Sequence, residues 1–82
     1  MADELALKRL HRLYRRVADT RDDCLFEDIE RLLTAAGFAV RYARGYHAIF
    51  SLGAIQLLIP RHIQVKPWYV DRVLKHVRRI LP

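Results

Sequence analysis

Residues Arg41–His62 read RYARGYHAIFSLGAIQLLIPRH, and this stretch decides the fold. With the residues just before it, Gly45 and Gly53 divide it into three short apolar-rich segments, FAVRYA, YHAIFSL and AIQLLI. Strand-length apolar runs punctuated by glycine predict a three-stranded antiparallel meander. Alternation then assigns faces. Phe38, Val40 and Tyr42 share one side of the first strand, and Tyr46, Ala48, Phe50 and Leu52 share one side of the second. These are the bulkier sets, so they are expected to face a helical layer. Arg41, His47, Ile49 and Ser51 then point the other way. The third strand is apolar on both parities, and if its core set matches, Leu58 and Ala43 join the open side. A half-apolar sheet face on a small protein is commonly covered. Either a partner or the N-terminal helix covers it, with Ala43, Ile49 and Leu58 as the expected contact residues.

Outward from the meander, helical periodicity takes over on both sides. Leu10, Leu13, Tyr14 and Val17 recur at i, i+3, i+4 and i+7, with Leu5 and Ala6 extending the stripe, so a first helix is expected from Asp3 to Ala18. Its other face carries Lys8, Arg9, Arg12, Arg15 and Arg16 and reads as a solvated surface. The polar run TRDDC, Thr20 to Cys24, is a linker. A second helix follows from about Phe26 to Ala36, with acidic residues in its first turn and Gly37 at its end, although neither Cys24 nor Leu25 is a good N-cap. After the basic loop RHIQVKP, Pro67 opens a last helix with Val70, Val73, Leu74 and Val77 as its stripe. Trp68 and Tyr69 in its first turn are expected to pack on the core. The class is α+β, with helices on one face of a three-stranded antiparallel sheet.

At 82 residues this is one domain, residues 1–82, near the size where a chain buries only roughly 60% of its unfolded surface. Fifteen Lys and Arg against nine Asp and Glu give a formal net charge of +6, which favours polyanions or an acidic protein partner. One cysteine, Cys24, excludes an internal disulfide and leaves a Cys-based zinc site short of ligands, and its surroundings predict a buried small hydrophobe. The opening MADELALKRL lacks the apolar core of a signal peptide, and no uncharged run reaches the ~20 residues of a membrane helix. A soluble protein of the cytoplasm is expected, with no membrane association.

The chemistry narrows by exclusion. His11, His47, His62 and His76 fall on different elements without metal-ligand spacing, so no metal and no cofactor are expected. There is no phosphate-binding glycine loop and no G-x-S-x-G. What remains is His47, a histidine on an open strand face near basic residues. Imidazole titrates close to neutral pH, so it can take a proton from a ribose 2′-hydroxyl or give one to a leaving oxygen, while Arg and Lys stabilise phosphorane-like charge. From spacing alone, an exposed or packed strand histidine with no catalytic part is the default reading.

The runs LFEDIERLLTAAGF, RYARGYHAIF and IPRHIQVKPWYVDRVLKHV, in this order between Leu25 and Val77, resemble the HicA-type mRNA interferase toxins of bacterial toxin-antitoxin pairs. The resemblance covers about two thirds of the chain and rests on the order and spacing of several weak motifs. It implies a double-stranded-RNA-binding-domain-like (dsRBD-like) core, α-β-β-β-α, over residues 25–81, with residues 2–19 as an additional basic N-terminal helix. It further implies a metal-independent endoribonuclease acting on mRNA, neutralised by a HicB-like antitoxin. In that family the second strand carries a catalytic histidine in a Gly-Ser-His motif. Gly45 and His47 match it, and Tyr46 stands in place of the serine; by alternation Tyr46 turns into the core. His47 is then the general acid or base. Arg41, Arg44, Arg61 and His62 are candidates to hold phosphate, beside Gly45 for turn or close approach, while Lys66 extends the positive field. The competing readings are a non-catalytic RNA-binding module of the same fold, and a degenerate toxin serving as a protein-interaction subunit. The free chain is expected as a monomer, or as a homodimer formed through the open sheet face.

Overall fold

In a computed structural model describing residues 3–82, the chain folds as α1 (Glu4–Asp19), a short 3-10 turn (Arg21–Asp23), α2 (Phe26–Ala35), β1 (Ala39–Tyr42), β2 (His47–Leu52), β3 (Ile55–Pro60) and α3 (Pro67–Ile80). The expected extension over residues 2–19 begins at a position outside the described residues. The strands form an antiparallel meander in the order β1-β2-β3, so β2 is central and both outer strands are edges. The fold is therefore α+β, with three helices and a three-stranded open sheet.

Register confirms the faces read from alternation. Val40 pairs with Phe50 and Phe50 with Leu57; Ala48 lies between Tyr42 and Ile59. Ala48, Phe50, Leu57 and Ile59 are buried in one cluster with Ile29, Leu32 and Leu33 of α2 and Val70, Val73, Leu74 and Val77 of α3. The Phe26 and Phe50 rings meet at 6.2 Å between centroids. On the opposite side, Arg41, Ile49 and Leu58 stand in one cross-strand row, exposed or half-buried, and left uncovered among the described residues.

The N-terminal helix is thus not the cover of the open face. It packs against α2 and α3, with Leu10 and Val17 buried, because its apolar stripe finds a ready groove between two helices already on the core side. Its start is fixed by the Asp3 carboxylate, which accepts from the Leu5 N–H at 3.0 Å. The stripe ends at Leu10 and does not extend to Leu5 and Ala6. Ala6 lies beside Thr34 and Ala35 at the far end of α2, so the first turn of α1 overhangs its support and Leu5 is 74% exposed. Nor is the basic face wholly solvated: Arg16 reaches the buried carboxylate of Asp28 at 3.4 Å, and Arg31 approaches the other oxygen at 3.5 Å.

The weak N-terminal signal of α2 has a tertiary explanation. Leu25 makes no side-chain cap bond; instead the Phe26 N–H donates to the Ile63 carbonyl at 3.1 Å, and Val65 N–H donates to the Cys24 carbonyl at 2.8 Å. The loop after β3 therefore supplies a partner that a side-chain cap normally provides. Cys24 is fully buried, and burial pushes its thiol above the usual range. Three residues beyond Val65, Trp68 departs from expectation, being 59% exposed, while Tyr69 packs against the core. Trp68 precedes Val70 by two residues, about 200° round the helix from the buried stripe.

One pair ties the 3-10 turn to α3. Arg21 donates from Nε and Nη2 to the two carboxylate oxygens of Asp71, at 2.7 and 2.9 Å. These hydrogen bonds hold the Asp71 carboxyl below its ordinary value. A depressed carboxylate stabilises the folded state above its unfolded value of about 3.9, and that contribution disappears as pH falls through the lower folded value. Following the Asp71 carboxyl by NMR titration, the Arg21→Ala variant is expected to return it to the ordinary range; an identical titration in both proteins would remove the pair from the pH dependence.

Candidate nucleic-acid interface

The β1–β2 connection, residues 43–46, carries the candidate site. Gly45 has φ +79°, a left-handed conformation that side chains rarely adopt, and a Cβ added there would meet no protein atom within 4 Å. Turning, rather than close approach of the chain to itself, is what this glycine does. The Ala43 N–H donates to the His47 carbonyl at 2.9 Å, closing the turn and fixing the start of β2.

His47 is the first residue of β2 and is exposed, paired across the ladder with Pro60. By register it lies on the open face with Ala43, Arg41, Ile49 and Leu58, of which Leu58 is 48% exposed. Arg41 opposes Ile49, which places it diagonally from His47, a separation of about 7–8 Å between backbones that a long side chain spans. Arg44 sits exposed in the turn itself. These residues form one neighbourhood.

Arg61 and His62 do not join it. The Arg61 guanidinium lies over the Tyr42 ring, 4.4 Å from its centroid, and His62 stacks on Tyr46 with ring centroids 6.4 Å apart and planes 20° from parallel. Tyr42 belongs to the helix-facing parity, and its hydroxyl donates to the Glu30 carboxylate of α2. The phosphate-holding set expected from sequence is therefore split between two sides of the sheet end, because Arg61 follows the parity of Leu57 and Ile59 and not that of Leu58. Lys66 stands exposed at the N-cap of α3, on a third element.

Tyr46 also corrects an expectation, being 71% exposed and not in the core. The Arg61 N–H donates to the Tyr46 carbonyl, extending the β2–β3 ladder by a rung, and the helical layer ends before that rung does. Tyr42, at the same end of the sheet, is 51% exposed for the same reason. An open groove of about 410 Å³ results, walled by Phe26, Glu30, Tyr42, Arg61, His62 and Ile63. Sequence reasoning named Arg61 and His62 as phosphate contacts but missed this groove. Its signal was a tyrosine three residues before and a tyrosine just after a left-turning glycine.

The hydrogen bond to Glu30 holds the Tyr42 phenol above its ordinary range, with burial and the Glu30 charge adding to it and Arg61 opposing. A raised phenol means that the contact is intact below the ordinary value of about 10 and is lost as pH rises through the higher folded value. In an alkaline titration of phenolate absorbance, Glu30→Ala is expected to bring the latest tyrosine transition back toward the ordinary range. An unaltered titration would show that the contact does not form in solution.

Among the described residues no group of His, Cys, Asp and Glu is assembled as a metal site, and no helix is long and apolar enough to cross a membrane. Comparison of the chain with protein-family models, with curated proteins and with solved structures returned no match.

Proposed function

We propose that this protein is a HicA-like endoribonuclease toxin with a dsRBD-like core, working in the cytoplasm and held inactive by a HicB-like antitoxin. The observation that carries the reading is the position of His47: an exposed imidazole at the first residue of the central strand, on the uncovered sheet face, directly after the Gly45 turn. A polyanion of helical or extended form meets this face without any rearrangement of the helices. His47 serves as general acid or base toward the ribose 2′-hydroxyl or the leaving oxygen, and Arg41 and Arg44 balance charge on the phosphate. Ile49, Leu58 and Ala43 give the same face an apolar surface that an antitoxin covers, and an acidic antitoxin suits the net charge of +6.

One residue favours a second reading. Tyr46 replaces the serine of the family motif and projects into solvent, so a chain that binds RNA without cutting it is the alternative. The two separate in one experiment: purified protein is incubated with single-stranded RNA in the presence of a strong chelator. Fragments ending in a cyclic phosphate support the metal-independent nuclease. Salt-sensitive binding with intact RNA at every protein concentration selects the binding module. Neither binding nor cleavage, together with a stoichiometric complex with an acidic protein, selects the interaction subunit.

A further inference from the structure

The groove beside Tyr42 and the ring of Tyr46 have no part in the acid-base step, yet they hold exposed aromatic surface at the same end of the sheet as His47. Tyr46 is the residue immediately before His47, so its ring and the candidate catalytic imidazole leave the backbone on opposite sides at the same end of the sheet, about one nucleotide step apart round that end. One neighbour, His62, already stacks on it in near-parallel fashion, and the Arg61 guanidinium lies over the Tyr42 ring. Rings and guanidinium planes held in such stacks are what unpaired nucleobases slot against, whatever their sequence.

The walls say more about the occupant. Phe26 and the highly exposed Ile63 are apolar, while Glu27 and Glu30 contribute carboxylates. Carboxylates repel a phosphate and accept from the amino edge of a base. A flat apolar body with hydrogen-bonding edges fits this groove; a phosphate fits the other side, by Arg41 and Arg44. A duplex, whose bases are stacked on each other, offers nothing to such a groove.

We propose that Tyr46, with His62, Tyr42 and Arg61, forms a stacking platform for an unpaired nucleobase of single-stranded RNA, positioned so that the neighbouring phosphate reaches His47. The proposal rests on the RNA reading of the site, and it gives Tyr46 a positioning role in place of the family serine. Specificity for unpaired over paired RNA then resides in the turn end of the sheet, and cleavage chemistry resides on the open face.

The test uses a short single-stranded 2′-O-methyl oligonucleotide containing 2-aminopurine, which lacks the 2′-hydroxyl proton and so reports binding without cleavage. On binding the full chain its fluorescence is expected to be quenched by stacking. Tyr46→Ala is expected to weaken binding about tenfold and abolish the quench, and Tyr46→Phe to restore both. Because Tyr46 is exposed, the alanine variant is expected to melt with the parent, which a thermal scan verifies. Undiminished affinity and quenching in Tyr46→Ala would overturn the platform, as would equal affinity for the same sequence as a duplex, or no binding of the oligonucleotide at low salt. Unmodified RNA keeps the two ideas apart. Cleavage by the parent together with unchanged binding by Tyr46→Ala overturns the platform alone, whereas Tyr46-dependent quenching by a protein that never cuts RNA upholds the platform and sinks the nuclease.

Discussion

Replacing His47 by alanine is expected to lower the rate of RNA cleavage by about 10²–10⁴-fold, the usual worth of a positioned general acid or base, and to abolish growth arrest when the protein is expressed alone. The side chain is exposed and points away from the core, so the variant should fold and melt as the parent does. That separation makes the result interpretable: loss of activity with unchanged stability assigns a chemical role. Added imidazole supplies a control, since a cavity left at an exposed position admits a small base, and partial recovery of cleavage by free imidazole is expected. Binding of uncleavable RNA should change little, because Arg41 and Arg44 remain. A His47→Ala protein that cuts RNA at the parental rate would end the mechanism, whatever the fold.

Phe50→Ala is expected to destabilise the protein by about 3–5 kcal/mol, and so to leave a chain of this size barely folded or unfolded. Phe50 is fully buried at the middle of the central strand, between Val40 and Leu57, with the Phe26 ring against it. Truncation removes apolar surface from the junction of sheet and helices, where neighbours on three elements are already fixed and cannot collapse into the void. For a domain of this length each kcal/mol moves the midpoint by roughly 4–8 °C, so a fall of more than about 12 °C is expected in a thermal scan. A loss below about 1 kcal/mol would mean that the core relaxes around the cavity, contrary to a sheet pinned by two helices.

Most of the fold was legible because its signals are local and periodic. Apolar residues at strand and helix spacing, Pro67 at a helix start and Gly45 and Gly53 at turns each specify backbone without reference to distant residues. Gly53, with φ +58° as the first of two residues linking Leu52 to Ile55, has the pattern of a glycine-first hairpin turn. The direction of His47 followed too, since alternation has a period of two and Ala48 and Phe50, on the opposite parity, are buried. What failed was wherever an element outruns its neighbour. Tyr46, Leu5 and Trp68 all have the residue type of a core position, and each is exposed because the packing layer stops short of it or because it lies off the buried stripe. The length of overlap between layers is not written in any one segment.

The sequence by itself determined the elements, their order, the α+β class and the face on which His47 lies, because hydrophobic period and turn chemistry act over a few residues. Tertiary structure alone decided that α1 joins the helical layer and leaves the sheet face open, and that a loop carbonyl at Ile63 serves the start of α2. It also parted Arg61 and His62 from His47 and set them against two tyrosines. Those outcomes depend on which surfaces meet after collapse, a matter of shape and length shared between segments far apart in the chain, and it is there that the open groove beside Tyr42 arises.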